Sequence, residues 1–221
     1  MEKSVFIAVP QRPRVDSRFV GPFNALINTT AQQGVPLTVR HGFGSPLWKV
    51  RNSLTRAFMA SDKTHLFFLD DDVIPPANAI IKLLSHNLPI VSGMYRRRDD
   101  PHYPILLYLT RNRKTGHVTR FSYRHKFKPP KGLIKCHATG AGCLLIERSV
   151  LEKIGDPWFV AHDKPFLGED IDFCLKGLAR GYGIYVDTRV ECLHIVEHIS
   201  ASKAAIKDFE KKFGFKMEFI G

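Results

Sequence analysis

Three consecutive carboxylates, Asp70-Asp71-Asp72, follow the apolar run His65-Leu66-Phe67-Phe68-Leu69 and precede Val73-Ile74-Pro75-Pro76. Like charges this close repel one another, and a cation is the simplest means of holding them together away from water. Alternate residues of an extended turn point the same way, so Asp70 and Asp72 can address one ion. Hard carboxylate oxygens suit Mg²⁺ or Mn²⁺, ions that also bridge phosphate oxygens. The competing reading is a solvated acidic turn capping the next helix. The buried run before it and the two prolines after it fix the turn's position and weigh against that.

A second acidic group, Glu169-Asp170 with Asp172 close behind, opens a helical pattern after Pro165-Phe166-Leu167-Gly168. Acids in a first helical turn complement the helix dipole and need no other reason. The same pair can project from a tight loop into a cleft, where a carboxylate serves as general base toward a hydroxyl. Asp172 should point elsewhere around the helix. His194 becomes a metal ligand only if the fold brings it to Asp72, and His198 is a weaker candidate of the same kind. Arg51-Asn52 is expected on the exposed side of a helix, where a forked guanidinium suits phosphate, although a surface Arg needs no function. In Thr139-Gly140-Ala141-Gly142 the glycines allow close backbone approach to a ligand, and a plain tight turn explains them nearly as well.

The elements that must position these residues follow from periodicity. Strands are expected over Val5–Val9, Pro36–Arg40, His65–Leu69 and Pro89–Met94, alternating with helices over Phe19–Gln33, Leu47–Ala60 and Pro76–Asn87. Such alternation implies a parallel sheet with right-handed crossovers. The pattern then changes. Pro101–Lys135 reads as a hairpin excursion or flexible loop, followed by a core strand at Cys143–Ile146 and a short helix at Ser149–Ile154. An amphipathic helix over Glu169–Arg180, a strand over Ile184–Asp187 and a charged helix over Ser202–Phe213 complete the chain.

A chain of 221 residues with 44% hydrophobic content can bury a full core, and one domain is expected. No apolar run approaches the roughly 20 residues of a membrane span, and the N-terminus lacks a signal-peptide layout, so a cytoplasmic protein is expected. Four scattered cysteines without C-x-x-C spacing read as buried free thiols. The formal charge of +12 is uneven: no acid occurs between Pro101 and Ile146, while nine Lys or Arg lie within Arg111–Lys135. That block is either a solvated loop or a surface for an anionic partner, such as a nucleotide diphosphate, a phosphorylated acceptor, a membrane surface or nucleic acid.

Phe67-Phe68-Leu69-Asp70-Asp71-Asp72-Val73 resembles the D-x-D motif of glycosyltransferases with the A-type fold, family two in particular. Further segments resemble that family in order: Val9-Pro10, Arg51-Asn52, Val91-Ser92-Gly93-Met94-Tyr95, Ala138 to Ile146, and Phe166 to Phe173. The match spans about residues 4–196. The resemblance implies one Rossmann-like α/β domain with a mostly parallel sheet flanked by helices. Residues 1–100 would be its nucleotide-binding half, 101–198 its acceptor and catalytic half, and 199–221 a terminal helix. It implies a UDP-sugar donor (a GDP-sugar less so), Mn²⁺ or Mg²⁺, and a glycan, lipid-linked or protein acceptor.

By position, Asp72, Asp70 and His194 would hold the metal. Val9, Pro10, Arg51, Asp70 and Asp71 would bind the nucleotide. Asp170 would be the base and Glu169 its acceptor-side partner. The Q-x-x-R-W motif of processive synthases is absent, which argues for addition of single sugars. Sugar nucleotidyltransferases are an alternative, but the first loop, Val9-Pro10-Gln11-Arg12-Pro13-Arg14, lacks their glycines. A basic nucleic-acid-binding domain, with Phe121, Tyr123 and Phe127 interleaved among the cations, leaves the aspartates unexplained, and no nucleic-acid partner is expected.

Overall fold

The computed structural model describes residues 2–98, 102–111, 114, 118–123, 129–162 and 167–195. The apolar runs assemble into one sheet. Its strands are β1 (Val5–Gln11), β2 (Leu37–Phe43), β3 (His65–Leu69), β5 (Ile90–Met94), β8 (Leu133–Cys136), β9 (Cys143–Glu147) and β10 (Ile184–Glu191), in the order β2-β1-β3-β9-β5-β10-β8. The helices are α1 (Ser17–Gln32), α2 (Leu47–Met59), α3 (Ala79–Ser85), α4 (Arg148–Ile154) and α5 (Glu169–Ala179). Two minor pairs stand apart: β4 (Val73–Ile74) with β11 (Leu193–His194), and the hairpin β6 (Leu107–Arg111) with β7 (Val118–Tyr123).

Alternation along each strand sends side chains to two different layers, which is why the central strands are apolar throughout. Val5, Ile7 and Val9 pack with Phe19, Phe23 and Leu26 of α1 and Ile80 and Leu83 of α3. Phe6 and Ala8 face the other way, toward Val50, Leu54 and Phe58 of α2 and toward residues of α4 and α5. Val9 is therefore a core side chain, fully buried between the sheet and the α1–α3 layer.

The sheet is mixed where the alternating pattern implied parallel pairing. β1 lies parallel to β2 and β3, and β10 parallel to β5. β9, however, enters antiparallel between β3 and β5, and β8 closes the edge antiparallel to β10. The cause is the path of the chain. After the β6–β7 excursion, β8 carries it along the sheet's outer edge toward the amino ends, residues 137–142 bring it back to the carboxyl edge beside Asp70, and β9 must therefore run backward. Strands from the two halves of the sequence are thus interleaved in one sheet.

The helix expected over Pro76–Asn87 is shorter, because Pro76 to Asn78 form a turn that Ala79 N–H closes on the Pro76 carbonyl at 2.9 Å. All four cysteines are free and buried, as expected. No helix among the described residues is long and apolar enough to cross a membrane. Ser202–Phe213, His198 and parts of the basic stretch lie outside the described residues.

Phe68 shows how the core supports the carboxyl edge. It is fully buried, meets Phe159 edge-on at 5.4 Å between ring centroids, and carries the Arg51 guanidinium 5.2 Å above its ring. Removing such a ring leaves a cavity, so Phe68→Ala should lower unfolding free energy by about 3–5 kcal/mol. Urea unfolding measures this, and a loss under about 1 kcal/mol would contradict the packing described.

Candidate active site

In open α/β sheets ligands bind beyond the carboxyl ends of the strands. Here that edge gathers the loops after β1, β3 and β5, the Thr139–Gly142 turn that leads into β9, and the start of α5. Asp70–Asp72 leave β3 in a turn closed by Val73 N–H donating to the Asp70 carbonyl at 3.0 Å. The Asp70 N–H in turn donates to the Gly142 carbonyl at 3.0 Å. This turn is hydrogen-bonded rather than extended, and its three carboxylates go to separate partners.

Each partner is a guanidinium. Both oxygens of Asp70 accept from Arg51 Nη2, at 2.9 and 3.0 Å. Asp71, buried, accepts from the Arg12 N–H at 2.8 Å and from Arg12 Nε at 3.0 Å. Asp72, also buried, is ion-paired with Arg98 and lies 3.8 Å from Arg12 Nη2. The repulsion read from the sequence is offset within the chain itself.

Arg51 is not on the exposed side of its helix. It is 2% exposed, and Asn52 beside it is equally buried, bonded to the Phe159 backbone at both ends of its amide. A guanidinium can be buried only with counter-charges, and Arg51 has two, since its Nε donates to Glu169 Oε1 at 3.2 Å as well. Burial works against its charge, yet Asp70, Glu169 and Asp170 more than offset this and hold its pKa above the ordinary value. Arg51 therefore ties the β3 turn to the start of α5, a different task from contacting phosphate on a surface.

Asp170 is partly buried next to that link. Its Oδ1 accepts from the Ile171 N–H at 2.8 Å. Burial, followed by the charge of Glu169, pushes its pKa from an ordinary 3.8 to about 6, against the pull of Arg51. A carboxylate with that pKa suits proton abstraction near neutral pH. Asp172 turns away, 2.8 Å from His162 Nε2 and 2.7 Å from Lys176 Nζ.

His194 reaches the aspartates through the small antiparallel pair of β4 and β11, where it stands opposite Val73 and Ile195 N–H donates to the Asp72 carbonyl at 2.7 Å. A two-residue strand leaves no period to detect, so the sequence set only the condition. His194 Nε2 lies 3.4 Å from Asp72 Oδ1. Its Nδ1 is 2.7 Å from the Arg96 carbonyl, which can only accept, so the proton is on Nδ1 and Nε2 keeps its lone pair. That is the tautomer a metal-binding histidine needs, with its second nitrogen fixed by a carbonyl.

Among the described residues, no three His, Cys, Asp or Glu side chains converge as a ligand set. Asp72 and His194 converge as two, and a cationic group already joins them: Arg98 pairs with Asp72 while its Nε donates to His194 Nε2 at 2.9 Å. The donor pair thus fits a cation, with its other ligands to come from a bound phosphate or water. Asp70, expected beside Asp72 on the metal, is committed to Arg51.

A cavity of about 280 Å³ lies over the three aspartates, walled by Pro10 at the end of β1 and Arg12 just after it, by Gly44 and Ser45 before α2 and Leu47 at its start, and by Arg98. The Thr139–Gly142 turn serves another purpose. A Cβ on Gly140 or Gly142 would collide with Tyr95, whose hydroxyl accepts from the Gly142 N–H at 2.9 Å and whose ring meets His194 edge-on. The glycines make room for a tyrosine rather than a ligand. Arg12, Arg98 and Tyr95 had no place in the site read from the sequence. The available signal was that loops leaving β1 and β5 emerge at the same edge as the aspartates, so their cations must meet them.

The raised pKa of Asp170 has a stability consequence of definite sign. The folded state holds this proton more tightly than the unfolded chain, so the group costs nothing below about pH 4 and its full penalty above about pH 6. Asp170→Asn mimics the protonated form. It should raise the melting temperature at pH 7.5 by several degrees and leave it nearly unchanged at pH 4. An equal shift at both pH values would show that the carboxylate is not destabilised by burial.

No protein-family model matches this chain, and no curated protein matches it. Among solved structures, the crystal structure of A197 from STIV superposes with a TM-score of 0.55. The likeness covers 88% of this chain and 86% of that one, at 20% sequence identity. At that identity the likeness establishes the fold alone: a mixed α/β sheet flanked by helices, compatible with a Rossmann-like arrangement.

Proposed function

We propose that this chain is a metal-dependent glycosyltransferase that moves a sugar from a nucleotide-sugar donor to an acceptor hydroxyl, with inversion and one sugar at a time. One observation carries the reading. Buried Arg51 joins an aspartate turn that walls a cavity to a second carboxylate pair whose Asp170 is tuned to about pH 6. A charged donor and a hydroxyl acceptor need these two kinds of site side by side. The ordered resemblance of the motifs supports the same reading, with a UDP-sugar favoured over a GDP-sugar.

In this account Pro10, Arg12 and Leu47 border the donor, and Asp72 with His194 would hold Mn²⁺ or Mg²⁺. The cation would offset the charge that builds on the departing diphosphate. Asp170 accepts the acceptor's hydroxyl proton as its oxygen bonds to the anomeric carbon. The bond from that carbon to the diphosphate oxygen breaks, and the electron pair leaves with the nucleotide. Glu169, fixed by Arg51, borders the acceptor. A glycan, a lipid-linked sugar or a protein side chain can each supply the hydroxyl.

Asp170→Asn keeps shape but cannot take a proton, so kcat should fall at least about a hundredfold with donor affinity little changed. In the wild type, kcat/KM should rise with pH through about 6 and then level, since only the ionised carboxylate is a base and kcat/KM follows the ionisation of the free protein. Sugar-transfer kinetics across pH test both statements. Retained activity in Asp170→Asn with loss in Glu169→Gln would exchange the two roles, and retention in both would remove a protein base from the mechanism. Separately, Asp72→Ala should abolish Mn²⁺-dependent binding of UDP and GDP without unfolding the protein; unchanged affinity in calorimetry would overturn the metal assignment.

A further inference from the structure

The aspartate turn is charge-balanced before any ion arrives: Asp70 with Arg51, Asp71 with Arg12, Asp72 with Arg98. The third pair differs from the others. Arg51 is buried, and Arg12 holds Asp71 through its backbone N–H as well as its side chain. Among the described residues, Arg98 reaches Asp72 and His194 Nε2 with its side chain, which is 47% exposed on the cavity wall. These are the same two groups that the metal reading assigns to the cation. Both cannot be held at once, because the lone pair on Nε2 serves either the Arg98 N–H or a metal.

Resting on the glycosyltransferase reading, we propose that Arg98 is an exchangeable counter-ion that gives up Asp72 and His194 when the divalent cation binds and then pairs with the donor's diphosphate. The displaced guanidinium stays on the wall of the cavity, and its forked donors suit phosphate oxygens. Asp72 and His194 would hold the cation next to the wall on which Arg98 remains, so the guanidinium would be within reach of a diphosphate drawn to that charge. Two consequences follow. The cation alone binds weakly, because it must first displace an internal ion pair. Cation and diphosphate bind cooperatively, since each makes room or a partner for the other, and the coupling is reciprocal.

Arg98→Met separates these effects because it moves the two affinities in opposite directions. Calorimetry on the full chain at pH 7.5 would measure Mn²⁺ alone, and then inorganic pyrophosphate at saturating Mn²⁺. Mn²⁺ alone should bind about fivefold more tightly in the variant, the scale of one half-exposed ion pair removed. Pyrophosphate should bind about tenfold more weakly, the scale of a lost charge-assisted contact. Mn²⁺ binding that is unchanged or weaker in the variant, or an unchanged pyrophosphate affinity, overturns the exchange while the metal site stands. If neither protein binds Mn²⁺, the metal reading fails and this inference fails with it. Without metal the variant should melt a few degrees lower, because buried Asp72 loses its Arg98 pair, and a fall of that size leaves the folded protein available for both titrations.

Discussion

A buried guanidinium tolerates almost no freedom in its surroundings, and Arg51 imposes that constraint on this molecule. It lies on a phenylalanine of β3, takes both oxygens of Asp70 with one nitrogen and reaches Glu169 with another. Removing either carboxylate would leave a buried charge underpaired, a strongly unfavourable state. The end of β3 and the start of α5 are therefore fixed relative to each other, although 99 positions separate Asp70 from Glu169 in the chain. A cleft that must align two reactants benefits from such a link, because small misplacements are costly in rate.

The link also sets the electrostatics on each side of it. Asp170 is held near a pKa of about 6 by burial and by Glu169, with Arg51 pulling the other way. A stronger pull would leave a weak base, and a weaker one would leave a protonated acid at neutral pH. On the other side, Arg51 occupies Asp70 and leaves Asp72 as the carboxylate that meets His194. One cation in the core thus contributes to both the candidate base and the candidate metal site, and an exposed cation, Arg98, holds the latter.

The strands and helices were legible because their residues obey simple periods. Val5–Val9 and His65–Leu69 are apolar throughout because two helical layers cover them, and Leu47–Met59 presents one apolar stripe. The antiparallel course of β9 was not legible, since Cys143–Ile146 has the same residues whichever way it runs. In the site, the aspartate turn and the Glu169-Asp170 pair stood out as local runs of carboxylates. Arg51 was read as exposed because no periodic rule anticipates a charge whose partners are distant in sequence. Arg98 is one of three consecutive arginines and only the fold distinguishes it. The β4–β11 pair that delivers His194 is too short for any pattern.

The central claim is that this cavity receives a nucleotide-sugar together with a divalent ion. A thermal-shift panel of UDP- and GDP-sugars, each with Mn²⁺ and with a chelator, tests it most directly, since a ligand that binds the folded state raises its stability by mass action. The account predicts that at least one nucleotide-sugar raises the melting temperature in Mn²⁺ and that the chelator abolishes the rise. No shift with any donor, or a shift of equal size in the chelator, would contradict it.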